Sequence, residues 1–198
     1  FMPHAYSEWA LPFCIMIKSI LLRKIVQEEK QRGVPLDYLK DILKSSFGAF
    51  YRFTKILSIF KHQKHLPVSI YVITRLLITK QEKIDSCLQV EKIMARNLGF
   101  SDVWIHAVLA ENPQDFTDQE RIAYDFIKTI MNHNGENELQ RSNFIKQFGF
   151  DSLVELSLLV AACRSFPTIK LVLGYKWFIH AEISTVEIYN FTPTLPIH

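Results

Sequence analysis

Glycine is scarce in this sequence, six residues in 198, and cysteine scarcer still at three. An all-β chain uses glycine at its turns, so this poverty argues against a sandwich or barrel and for helices. Cys14, Cys87 and Cys163 are an odd number at wide spacing. That pattern excludes a disulfide-stapled secreted framework and points to a reducing compartment, with a cytoplasmic location as the expectation. There is no glycine-rich phosphate loop, no internal repeat and no clustered Cys/His spacing for a metal, so no cofactor and no metal are expected. A membrane span is missing from the reading too. The apolar stretch ALPFCIMIKSILL at residues 10–22 has 13 residues and contains Lys18. It is too short to cross a bilayer and lacks the basic start and small-residue cleavage site of a signal peptide. A buried or docking helix is the expectation, with a subunit interface or a membrane surface as the alternative.

What is present suits a core. Hydrophobic residues make up 48% and aromatic residues 13% of the chain, enough to fill one domain and too much for a disordered one. The net charge of +3 is a weak basic excess and gives no reason to expect nucleic acid as a partner. Its distribution is uneven: residues 1–80 carry 13 Lys/Arg against 5 Asp/Glu, a net of +8, whereas residues 81–198 carry 10 against 15, a net of −5. The plain interpretation is two solvated faces of opposite sign that can attract each other between subunits. A phosphate or membrane-surface role for the basic half is the other.

Glycines and prolines fall between periodic segments, as helix punctuation does. The pattern predicts helices over residues 11–32 (closed by Gly33), 37–45, 49–61, 68–80 (opened by Pro67), 86–98 (closed by Gly99), 101–110, 117–132 and 138–148 (closed by Gly149). A last helix is expected from residue 152 toward Gly174, kinked or interrupted at Pro167. Ser86/Gln89, Thr117/Glu120 and Ser152/Glu155 have the form of capping boxes. Residues 153–162 are apolar nearly all round, which predicts burial on every side, by the chain's own core or by another copy. The fold expected is all-α, with an N-terminal helical extension over residues 1–65, a core over 66–176 and a tail over 177–198.

Cys87 is the residue with the clearest chemistry. In the first turn of a helix opened by Ser86, its thiol would meet unpaired N–H groups and the positive end of the helix dipole, which lower a thiol pKa. Glu91 lies one turn on along the same face and could accept the thiol proton, although its charge also disfavours the thiolate. The plain alternative is a small buried hydrophobe beside a surface glutamate. His62 and His65, in the basic run KHQKH, could share a metal if a third ligand existed; solvated side chains are the ordinary reading.

From about Leu66 to Gly174 the order of segments resembles the carboxymuconolactone decarboxylase family, which includes the alkylhydroperoxidase D (AhpD) type. ITRLLITKQEKIDSCLQVEKIMARNLGFSD looks like that family's core helix pair, in which a Cys-x-x-Cys-x-x-x-His motif precedes a helix ending in glycine. FTDQERIAYDFIKTI and FGFDSLVELSLLVAACRSF look like its next two helices, and residues 22–67 resemble the N-terminal helices of longer, peroxidase-related members. Anchoring on Gly99 puts the second motif cysteine at Cys87, the first at Ile84, the histidine at Glu91 and the upstream relay glutamate near Val72. One of four catalytic positions is retained, so no vicinal disulfide can form there.

The resemblance implies an AhpD-like all-α fold assembled as homotrimers or homohexamers. It also implies antioxidant activity in which Cys87 is the peroxide-reactive thiol and Glu91 the proton acceptor. Cys163, Cys14, or the thiol of a reductant or peroxiredoxin partner would then resolve the oxidised cysteine. His106 or His133 could replace the missing relay. A second expectation is a catalytically degenerate oligomer kept as a binding or scaffold protein. A third is a cofactor-free decarboxylase of a small lactone acid, with Lys83 or Arg75 binding the substrate carboxylate.

Overall fold

The computed structural model describes residues 10–60, 62–114, 116–132 and 138–175. Among these the fold is all-α, with nine helices and no strand. They are α1 (Ala10–Arg32), α2 (Asp37–Ser45), α3 (Phe47–Ile59), α4 (Val68–Gln81), α5 (Asp85–Asn97), α6 (Asp102–Leu109), α7 (Asp118–Met131), α8 (Glu138–Phe148) and α9 (Phe150–Val172). The chain forms two compact units that divide between Thr54 and Lys55, inside α3. The expected tail over 177–198 lies outside the described residues.

In the first unit α1 stops at Gly33, whose φ of 61° is open to a residue without a Cβ. Glu29 ties the turn to α2, accepting the Leu36 N–H at 3.0 Å and the Lys40 ammonium at 2.5 Å. Asp37 shares Lys40 at 2.9 Å, and the two carboxylates hold that amine above its ordinary pKa. Ile25, Val34, Leu36, Tyr38, Leu43, Phe50 and Phe53 are buried, with Tyr38 set edge-on against Phe53 at 6.0 Å between ring centres.

The second unit is organised around α4. Nine of its residues, Ile70 to Thr74 and Leu76 to Thr79, are buried, so apolar side chains on every face meet α5, α6, α7 and α9. For residues 153–162 burial on every side was expected, by the chain's own core or by another copy, and the chain's own core supplies part of it. α9 packs on α4 and α8 with Leu156, Leu159, Val160, Ala162 and Cys163, but Val154 and Leu158 remain 44% and 45% exposed. Length and composition would let α9 cross a membrane, yet almost half of that window is buried against its own unit, as in a core helix. The arrangement is compatible with a chain that has no membrane span.

Local chemistry explains most of the boundaries. Thr117 and Glu120 form the predicted capping box on α7, and Ser101 accepts the Trp104 N–H at 3.2 Å to open α6. After α5, Gly99 at φ 90° lets its own N–H reach Arg96 and the Phe100 N–H reach Ala95, which satisfies the last carbonyls. The other two capping boxes do not form. α5 begins one residue earlier than expected, with Ile84 at the cap position and no side-chain cap. α9 begins at Phe150, so Ser152 is already helical and bonds the Phe148 and His65 carbonyls. Glu155 is taken by a longer-range partner: its carboxylate accepts the Lys64 N–H at 3.0 Å and the His65 N–H at 2.9 Å, pinning the loop that feeds α4. Pro167 sits inside a continuous α9. It withholds the N–H that Cys163's carbonyl would have accepted, but the helix carries on to Val172.

Candidate functional site

The ionisable side chains that α4, α5 and α9 bring together form one buried polar cluster. Tyr71 and Arg75 lie one turn apart on α4. The Arg75 guanidinium makes a bidentate pair with Glu91 of α5, Nε to Oε2 at 2.5 Å and Nη2 to Oε1 at 3.0 Å. It also donates to the Tyr71 hydroxyl, which in turn donates to the Phe60 carbonyl at 2.8 Å. Aromatic faces flank the cation, with the Phe60 ring centre 4.4 Å and the Tyr71 ring centre 5.1 Å from the guanidinium carbon. Burial disfavours the charge on Arg75, but Glu91 and Tyr71 outweigh it, so the guanidinium is held more firmly protonated than usual.

Cys87 occupies the first turn of α5, as expected, and is 8% exposed. The polar groups acting on its thiol are Lys170, from the last turn of α9, then Glu91 and Ser86. Here the sequence expectation of a lowered thiol pKa fails. Desolvation by burial is the largest influence and pushes the thiol up, and Glu91's charge adds to the rise. Lys170 and Ser86 pull it down without reversing it. Lys170 is itself only 7% exposed. Cys163, on the inward face of α9, is 2% exposed and its thiol is pushed up more strongly, by burial first and by Glu91 second.

The other sequence-singled residues are dispersed. Glu91 is present beside Cys87, but both of its oxygens are engaged by Arg75. Ile84 caps α5 without a side-chain bond and Val72 lies fully buried in α4, so two of the three positions where the resemblance lacks its catalytic groups are filled by core side chains. Arg75 is committed to Glu91. Lys83 is exposed in the α4–α5 turn at φ 55°. His62 and His65 lie in the loop after α3 instead of on a helix, and His106 is exposed on α6. His133 and the side chain of Cys14 lie outside the described residues. Among the described residues no three His, Cys, Asp or Glu side chains gather where they could hold a metal ion.

No family model, curated protein or solved structure matches this chain. The residue that sequence reasoning missed is Lys170. It carried no distinguishing local signal, because the cysteine it acts on lies 83 positions away in the chain.

Proposed function

We propose that this chain is a thiol-redox protein of the AhpD-like type, in which Cys87 reduces peroxides. The observation that carries the proposal is a cysteine in a helix's first turn with the buried Lys170 acting on it, a cation and a dipole end that both favour the thiolate of one sulfur. The Cys87 thiolate attacks one peroxide oxygen, an S–O bond forms as the O–O bond breaks, and the departing oxygen takes a proton to leave as water or an alcohol. Sulfur is oxidised by two electrons to the sulfenic acid and the peroxide is reduced by two. Cys163, Cys14 or the thiol of a partner protein or small reductant then displaces the sulfenic oxygen as water, forming a disulfide. In this reading the charge of Lys170 favours the thiolate, and solvent base takes the thiol proton that Glu91 was expected to accept. Glu91's part is to hold Arg75 and to keep negative charge near the thiol. A cytoplasmic location and assembly as homotrimers or homohexamers belong to the same proposal, the assembly supported by the exposed apolar residues of α9.

One observation favours a second reading, a catalytically degenerate scaffold: the Arg75–Glu91 pair closes off the acid-base group, and the thiol sits above its ordinary pKa. The deciding experiment is competitive alkylation of the folded chain with mass-spectrometric site assignment, followed by hydrogen peroxide treatment with a sulfenic-acid trap. The redox reading expects Cys87 to label and oxidise before Cys163. Its alkylation rate should climb with pH into the alkaline range, because the folded thiol titrates above the ordinary value of about 8.5. Lys170→Met should slow it at each pH. Equal, slow labelling of both cysteines, untouched by Lys170→Met, supports the scaffold.

A further inference from the structure

Helix α1 has two unlike sides. Toward α2 it buries Ile25 and holds Glu29 half-buried on Leu36 and Lys40. On the opposite side Ile15, Met16 and Ile20 are exposed by 59%, 52% and 46%. At about 100° per residue these fall in one sector with Arg23, Lys24 and Lys30, all exposed. No carboxylate shares that sector: the acids of α1 are Glu28 and Glu29, both half-buried on the other side. Along the helix the two chemistries separate. Ile15, Met16 and Ile20 sit toward the N-terminal end and the cations follow, with the smaller Val26, 38% exposed, among them, spread over about 22 Å from Ile15 to Lys30 at the rise of an α-helix.

A second copy offering the same face would set cations against cations. An acidic protein surface would satisfy Arg23, Lys24 and Lys30 but leave the apolar end in water. An anionic bilayer answers both, with an acyl boundary for Ile15, Met16 and Ile20 and lipid phosphates and carboxylates for the cations, whose aliphatic stems lie along the interface. We propose that α1 docks this chain on the surface of a membrane containing anionic lipid. The helix lies in the interface with its apolar end deepest and does not cross. This inference is independent of the redox reading of Cys87.

Co-sedimentation of the full chain with vesicles of phosphatidylcholine, with and without phosphatidylserine, tests it. Binding is expected with phosphatidylserine and should weaken as salt screens the charges. Each cation near the surface contributes about fivefold in partitioning, so Arg23→Glu with Lys24→Glu should lower it at least on the order of thirtyfold. Ile20→Asn should also lower it, and Lys146→Glu, at an exposed position of α8, should not. Circular dichroism establishes that each variant is folded; if Ile20→Asn is not, the surface-charge variant decides alone. Three results overturn the proposal: no binding to phosphatidylserine vesicles, binding indifferent to the α1 substitutions, or self-association without vesicle binding that those substitutions abolish.

Discussion

Arg75 and Glu91 carry opposite charges into a part of the molecule where neither is stable alone. Their side chains are 12% and 10% exposed, so desolvation consumes much of the Coulombic gain, and the pair matters mainly for what happens when one member is lost. Arg75→Met or Glu91→Gln alone should cost about 3–5 kcal/mol, because an uncompensated buried charge or an orphaned polar group is left behind. The double variant Arg75→Met with Glu91→Leu should be closer to the parent than either single change. Urea unfolding of the three variants measures this, and strictly additive losses would sink it.

The same buried chemistry sets an alkaline limit. Burial raises the thiols of Cys87 and Cys163 and the phenols of Tyr71 and Tyr124, the last to about 12. Groups with raised folded pKa values contribute stability that is fully present below the unfolded pKa and lost as pH rises toward the folded one. The urea midpoint should therefore fall steadily above about pH 8.5, the ordinary thiol value. Cys163→Ala should remove part of that slope, and a flat midpoint up to pH 10 would contradict the placement of these groups. Of this chemistry the sequence disclosed Cys87 and its neighbour Glu91. The partners Arg75 and Lys170 come from other helices, and no spacing rule links positions so far apart.

Elements were far more legible than side-chain partners. Helix ends depend on interactions within a few residues, so Gly33, Gly99, Thr117 with Glu120, and Ser101 could be read directly. Gly149 shows how sharp such a signal is. It is the single residue between α8 and α9, closing the first through the Ile145 carbonyl and adopting φ 84° and ψ 166°, a conformation open to glycine almost alone. A Cβ there would meet no atom within 4 Å, so Gly149→Ala isolates the backbone penalty, about 1–3 kcal/mol. Gly48→Ala should have the opposite sign. That residue is helical, the nearest obstacle is the movable end of Arg52 at 3.2 Å, and alanine gains about 1 kcal/mol of helix propensity. Thermal melts of the two variants should move in opposite directions. Where local reading failed, at Ser86 and Ser152, the cap signature competed with a longer-range demand: Ser152 and Glu155 are used to hold the loop before α4.

For the whole molecule, the question is which apolar helix is enclosed. α4 is, and α9 keeps Val154 and Leu158 open along one side. If that side is the contact of the proposed homo-oligomer, Val154→Glu with Leu158→Glu should yield a monomer in sedimentation velocity with helicity intact. A parent chain that is already monomeric at micromolar concentration would overturn the assembly.

The sequence by itself determined the helical class, the order and approximate limits of the helices, and the placement of Cys87 in a helix's first turn, because these depend on composition, period and residues a turn or two apart. Only the tertiary structure decided which helix is central, that Glu91 is held by Arg75, and that burial pushes the Cys87 thiol up against the pull of Lys170. Those outcomes follow from burial and from charges brought together across α4, α5 and α9, and desolvation exists only once the helices have packed.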